Sequence, residues 1–333
     1  VEVTQIKGDS ETHPAVSPDD RFADFETYPH YIMQEPPDYA PSAADYIRSA
    51  LRIGLSIEER IGFNPYRFGL IGSTDAHTGV ASAEEPNFWG KLAADSIPEN
   101  KNLIGLRGAN SPTGWSMSAS GLAAVWAKEN TREAILDAFE RREVYATTGP
   151  RIAVRVFGGW SFRASHARTR SIEKVGYARG VPMGSVLPKK RSSAPRFLVH
   201  AMKDPKSAHL DRVQMVKGWM DADGHTHERV HDIVWAGKRI ADADGNVPSI
   251  GSTVDLATAT YTNEIGDPTL ATVWRDPDFD PSQPCFYYVR VLEIPTPRHS
   301  TFDALALGLD PKETGKPAEI QERAYTSPIW YQP

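Results

Sequence analysis

The chain has 333 residues, 40% of them hydrophobic, enough for a buried core and about two domains, which excludes disorder throughout. Its 43 acidic residues outnumber 37 basic ones for a net charge of −6, so the basic footprint of a nucleic-acid-binding protein is missing. Cys285 is the single cysteine, which excludes an internal disulfide and a thiolate metal cluster.

No apolar run reaches the roughly 18 residues of a membrane helix, and no signal-peptide pattern opens the sequence. The compartment is left open: cytoplasmic, or periplasmic or secreted if a leader has been lost. Residues 1–150 hold 13 basic and 22 acidic side chains and residues 151–333 hold 24 and 21, so the acidic excess lies in the first part, which suits cations better than phosphate backbones. The chain starts without methionine in an alternating strand pattern over residues 1–7, which reads as a chain cut in mid-fold.

A helix is predicted over residues 42–61, with Ser42 and Asp45 placed as cap and third residue, apolar positions at Ile47, Ala50, Gly54, Ile57 and Ile61, and Gly62 as the stop. A short apolar run, residues 68–71, ends at Gly72-Ser73, and another covers residues 121–127. Asn130 and Glu133 open a helix over 131–142, and residues 144–147 read as a strand. Two irregular stretches, residues 9–41 and 78–120, exceed ordinary loop length and are expected either to carry function or to mark a wrong element assignment. The alternation of strand and helix up to residue 150 predicts parallel strands in an α/β layer or barrel.

After Gly149-Pro150 the pattern changes. Residues 152–157, 196–203, 212–220, 229–235, 258–262, 271–275 and 286–294 alternate or are β-branched and aromatic, and Asp223-Gly224 marks a hairpin. This predicts a second domain, an antiparallel β-sandwich, over residues 151–333.

The segment richest in chemistry is Phe68-Gly69-Leu70-Ile71-Gly72-Ser73-Thr74-Asp75-Ala76-His77. In extended backbone, residues two apart point to the same side, so Asp75 and His77 can converge on one divalent ion. The end of a parallel strand is also where α/β enzymes build their sites. The same pattern also fits a turn capped by Asp75 with His77 packed beside it. Neither a dinucleotide fingerprint, a phosphate-binding loop nor a serine-hydrolase elbow is present.

Gly72-Ser73-Thr74-Asp75-Ala76-His77 resembles the last metal motif of the PHP (polymerase and histidinol phosphatase) superfamily, with Thr74 as one extra residue between serine and aspartate. Residues 132–151 resemble that superfamily's closing helix and strand. A fuller resemblance, over nearly the whole chain, is to an uncharacterised family of long PHP-like proteins, domain-of-unknown-function family 3604. It is carried by Gly8-Asp9-Ser10-Glu11, Phe22-Ala23-Asp24-Phe25-Glu26, Val216-Lys217-Gly218-Trp219 and Tyr287-Tyr288-Val289-Arg290-Val291.

The resemblance implies a distorted TIM-like barrel with two or three divalent metals (Zn, Mn or Fe) and hydrolysis of a small phosphoester. The superfamily's opening His-x-His strand has no counterpart in residues 1–150. Those residues are therefore expected to be the C-terminal part of a barrel, too few for the roughly 250 of a complete one. The fold class expected is α/β plus β: a partial PHP-type barrel over 1–150, then the β domain.

The metal candidates are Asp75, His77 and Glu2, and the catalytic candidates are Glu11 and His13, with His13 as a possible general acid. Pro14 makes a structural turn an equal reading of Glu11 and His13. His30 reads as a packed loop residue, and His225, His227 and His231 as solvated groups near a hairpin tip. Two functions follow: a metal-dependent hydrolase, or a non-catalytic binding or scaffolding protein on a degenerate barrel. An incomplete barrel would expose sheet edges, so a homo-oligomer is expected, with no nucleic-acid or membrane partner.

Overall fold

The structure, a computed structural model, describes residues 1–28, 39–94, 97–101, 113–119, 121–189 and 193–333; His30 lies outside these. In chain order the strands and helices are β1 (Glu2–Gln5), β2 (Gly8–Asp9), α1 (Ile47–Ile61), β3 (Ile71–Gly72), β4 (Leu122–Val125), α2 (Arg132–Glu140), β5 (Val144–Thr147), β6 (Ala153–Gly159), α3 (Ile172–Arg179), β7 (Gly180–Pro182), β8 (Arg196–Met202), β9 (Leu210–Met220), β10 (Thr226–Trp235), β11 (Thr269–Arg275), β12 (Cys285–Glu293), β13 (Thr296–Pro297), α4 (His299–Ala306), β14 (Glu319–Ile320), β15 (Arg323–Thr326) and β16 (Ile329–Tyr331). No helix among the described residues is long and apolar enough to cross a membrane.

The expected TIM-like barrel is not there among the described residues. The molecule is mostly β, in open sheets ordered β2-β1-β3, β10-β9-β12-β15-β5-β4 with β16 also on β12, β11-β8-β6-β7, and β13-β14. A barrel of that type needs parallel strands throughout, yet among the described residues the one parallel ladder is β1 with β3. The alternation of strand and helix misleads at β4-α2-β5: the helix returns the chain antiparallel to β4, and β5 then pairs antiparallel with β15, far along the sequence.

The seven-stranded sheet is the central layer. Alternate residues of its strands serve two different cores: Val213, Met215, Tyr287, Val289, Val291 and Ala324 face one, and Val216, Met220, Phe286, Tyr288 and Tyr325 the other. On the first side lies the four-stranded sheet, through Val154, Val156, Phe197 and Val199. On the second lie α1, through Ile47, Leu51 and Leu55, and the β1–β3 region, through Val3 and Leu70. With both faces covered, every residue of β12 is buried, charged ones included.

Local signals place several elements closely. Asp45 accepts a hydrogen bond from the Ser42 amide at 2.8 Å, but this closes a separate 3-10 turn, and α1 starts only at Ile47 after an extended Tyr46. Gly62 ends α1 in the left-handed region, its amide on Glu58 O at 2.8 Å. Thr131 caps α2, one residue later than Asn130 predicted. Residues 258–262 form only an isolated bridge, Asp255 with Thr260.

Gly218 of β9 sits opposite Phe286 of β12, and a Cβ there would stand 2.3 Å from Phe286 Cζ. The missing side chain lets the buried ring lie across the sheet. Gly218→Val should therefore overpack this core and lower stability by about 1–3 kcal/mol, read as a lower midpoint in urea unfolding with the far-ultraviolet spectrum retained.

Candidate functional site

The Asp75–His77 segment is held by the short parallel ladder. Ile71 N donates to Val1 O at 2.9 Å and Ser73 N to Thr4 O at 3.1 Å. Gly72 is required there, because a Cβ would meet the Leu122 and Thr147 carbonyl oxygens at 2.9 Å, so β3 nests directly against β4 and β5. Beyond Ser73 the chain leaves the sheet, and Asp75 takes a left-handed conformation at φ 48°, a region aspartate tolerates better than most side chains. The His77 amide donates to Lys91 O at 2.7 Å, which ties the following loop to the motif.

Asp75 Oδ1 and His77 Nε2 stand 3.1 Å apart. The other carboxylate oxygen, Oδ2, accepts from both Lys7 Nζ and Lys91 Nζ, the latter at 2.5 Å, and Lys91 Nζ also reaches Asp75 O at 3.3 Å. Asp75 and the two lysine side chains are about a fifth exposed, whereas His77 is 52% exposed. Partial burial works against the Asp75 charge, but the hydrogen bonds from Lys7 and Lys91 more than offset it and hold the carboxyl down at about 2. Lys7 is displaced below the usual lysine range, first by its own burial.

Two ligand atoms on one small divalent ion stand about 3 Å apart, so Asp75 Oδ1 and His77 Nε2 fit as a neighbouring pair of donors. Glu2, the third metal candidate, is turned to another partner: its Oε1 accepts from Ser73 Oγ. The motif thus offers two of the three protein ligands a catalytic ion usually takes, and Oδ2 carries two ammonium groups. Among the described residues the grouping of three potential ligands is instead Asp221, Asp223 and His225, at the β9–β10 turn. There Asp221 Oδ1 accepts from the Asp223 and His225 amides, Oδ2 meets His227 Nε2 at 2.7 Å, and the cluster faces solvent.

Glu11 and His13 are not joined to Asp75 or His77 by any hydrogen bond or ion pair. His13 Nδ1 accepts from the Ala15 amide at 3.0 Å, a local turn, and its ring lies 5.7 Å from that of Tyr46. Glu11 is buried among charges. Its Oε1 accepts from Arg48 Nη2 at 2.6 Å and from the Tyr288 hydroxyl at 2.5 Å, and its Oε2 from Arg290 Nη1 at 2.9 Å. Asp20 bonds the same two arginines at 2.7–2.9 Å. Two carboxylates and two guanidiniums therefore cancel inside the protein. Burial by itself would raise Glu11 and Asp20; Arg290 and Arg48 reverse this and hold both below the ordinary range. Asp9, next to them, is pushed well above its usual value by burial and by the Glu11 charge.

Sequence reasoning passed over Asp20, Arg48 and Arg290. The available signal was a charge set inside an apolar run: Arg290 in Tyr287-Tyr288-Val289-Arg290-Val291-Leu292, and Arg48 beside Ile47 and Leu51. It also passed over a second buried group. Glu26 takes Arg298 side-on at 2.7 and 2.8 Å, and Glu85 accepts from the His299 amide. Burial pushes the Glu85 carboxyl up to about 7, and burial together with the nearby Glu85 charge pushes Glu322 well above its usual value. Burial and then Arg298 push His299 down to about 3, and as a neutral ring its Nε2 donates to Met117 O at 2.7 Å.

Arg290→Met leaves Glu11 and Asp20 short of one counter-charge in a buried site, and should destabilise by about 3–5 kcal/mol in chemical unfolding. The Glu85–Glu322 pair has the opposite pH sign to ordinary salt-bridged acids. The folded state keeps a proton that the unfolded state releases above its ordinary value near 4.5, so stability is full below that pH and falls as pH rises towards 7. Glu322→Gln retains an acceptor for Thr148 and removes one titrating carboxyl. It should shrink the loss of stability between pH 5 and 8 by on the order of 1–3 kcal/mol, measured by thermal melts at both pH values.

Neither the curated proteins nor the solved structures offer a match to this chain. A family model described as "Protein of unknown function (DUF3604)" matches residues 1–333, and the chain belongs to that family.

Proposed function

We propose that the protein is a metal-dependent hydrolase of PHP type, acting on a small phosphoester, on a mostly β scaffold instead of a barrel. The observation that carries this reading is the 3.1 Å approach of Asp75 Oδ1 and His77 Nε2 at the end of the parallel β1–β3 pair. Asp75 and His77 would hold a divalent ion, Zn, Mn or Fe, through one oxygen and one nitrogen, with water, substrate or a further donor completing the shell. Such an ion supplies Lewis-acid polarisation of the phosphoryl group and a water of lowered pKa. The chain's own residues do the positioning: the Lys91 carbonyl holds the His77 backbone, and the left-handed turn at Asp75 brings its carboxylate back towards the imidazole. His77 is open enough for a ligand to reach its ring.

A second reading, a non-catalytic binding protein, is favoured by Lys7 and Lys91, which already neutralise Asp75 Oδ2 without an ion. Metal titration separates the two. On the hydrolase reading, Mn²⁺ or Zn²⁺ at a hundredfold excess over a micromolar dissociation constant stabilises the fold by about 2.7 kcal/mol, and Asp75→Ala abolishes the shift. Hydrolysis of a panel of phosphate monoesters and diesters should fall at least about a hundredfold in the same variant, as loss of metal support predicts. An unchanged melting temperature with either ion, together with no turnover, would leave the binding reading standing.

A further inference from the structure

We propose that Lys7 and Lys91 form an anion-binding site for which the Asp75 carboxylate is the built-in counter-ion, so that a phosphate group enters when Asp75 is neutralised. As an account of substrate recognition the proposal rests on the hydrolase reading; as a binding site it stands on the geometry alone.

The two ammonium groups come from unrelated parts of the chain, Lys7 from the turn after β1 and Lys91 from the irregular stretch after the motif, yet both end on a single oxygen, Asp75 Oδ2. Two like charges on one acceptor are held there chiefly by the carboxylate between them, Lys91 also by the Asp75 carbonyl. One negative charge against two positive charges leaves the group net positive, which favours an anion. Each lysine side chain is only 18% exposed, so its charge is less screened than on an open surface. Neither lysine has another acidic partner among the described residues; the further contact of Lys91 is to the neutral Asp75 carbonyl. Glu2, the other acidic metal candidate, bonds Ser73 through its Oε1.

A phosphate group matches this cradle better than the carboxylate does. It carries up to two negative charges and three terminal oxygens, and an ammonium group is a point charge with three donors that can bridge them. The backbone that carries Lys91 is also tied to the motif, because the His77 amide is bonded to the Lys91 carbonyl. Anything that neutralises Asp75, a divalent cation on Oδ1 or loss of its charge by substitution, weakens its hold on both lysines and opens them to the anion. Binding of cation and anion is then positively coupled through one side chain.

The test uses the full chain, inorganic phosphate as the probe, and a chelator in place of metal. Asp75→Asn removes the competing charge and keeps a side chain that tolerates the left-handed backbone. If Asp75 occupies the lysines nine-tenths of the time or more, calorimetry should show phosphate binding about tenfold tighter or better in Asp75→Asn than in the wild type. The gain should vanish when Lys7→Met and Lys91→Met are added. Asp75→Gly, which accepts the positive φ without strain, is the second variant should the first fail to fold, and it should show the same gain.

Phosphate binding no tighter in either variant, or a gain that survives loss of both lysines, would overturn the proposal. These measurements contain no metal, so a failure of the hydrolase reading in the metal titration leaves their outcome intact, and the two can fall separately.

Discussion

Glu11, Asp20, Arg48 and Arg290 meet in the interior, with the Tyr288 hydroxyl completing the shell around Glu11. Four buried charges would each be costly in isolation, by several kcal/mol after relaxation; here they are balanced two against two and hydrogen-bonded throughout. Such a group adds little net stability over an apolar core of the same shape, but it is intolerant of misplacement. It joins the segment after β2, helix α1 and the central strand β12, which lie far apart in sequence. Arg48 further reaches Glu228 on β10 at 3.1 Å, extending the network to the sheet edge.

The position of the candidate site follows from that anchor. Glu11 is two residues beyond β2, β2 pairs antiparallel with β1, and β1 sets the register of β3. The Asp75–His77 motif begins where β3 ends, so fixing Glu11 fixes the floor under the motif. Glu11 thus contributes to the site as support. Its carboxylate is fully engaged, and it follows directly on the short hairpin whose turn carries Lys7 to Asp75.

Much of the local structure was legible. The period-two pattern of residues 212–220 and 286–294 marked β9 and β12, Gly62 marked the end of α1, and Asp223-Gly224 marked the β9–β10 hairpin, because each depends on neighbours in sequence. Asp75 and His77 were legible as a pair, two residues apart after a strand, although they meet by a left-handed turn at Asp75 instead of the extended backbone that the spacing presumed. Lys7 and Lys91 were not: a lysine in a turn carries no mark of the carboxylate it will meet 68 or 16 residues away. Glu85 and Glu322 are hidden likewise, since burial and charges from distant segments such as Glu26 perturb them.

The amino-acid order marked most of the long strands and the core of α1 and α2, and showed that the chain could place a carboxylate and an imidazole side by side, but it missed α3 and α4 and offered residues 258–262 as a strand that is only a bridge. It did not settle how the strands pair. A strand–helix–strand run reads as parallel by default, but β5 has two buried faces and finds β15 as its neighbour, turning the β4–α2–β5 unit antiparallel and building one central sheet from both halves of the chain. That choice goes with burial of both faces, which depends on contacts between residues far apart in sequence, as in the pairing of Thr147 with Ala324. Periodicity reports only what adjacent residues share, so the barrel could be expected from the sequence and only the packed sheets could replace it.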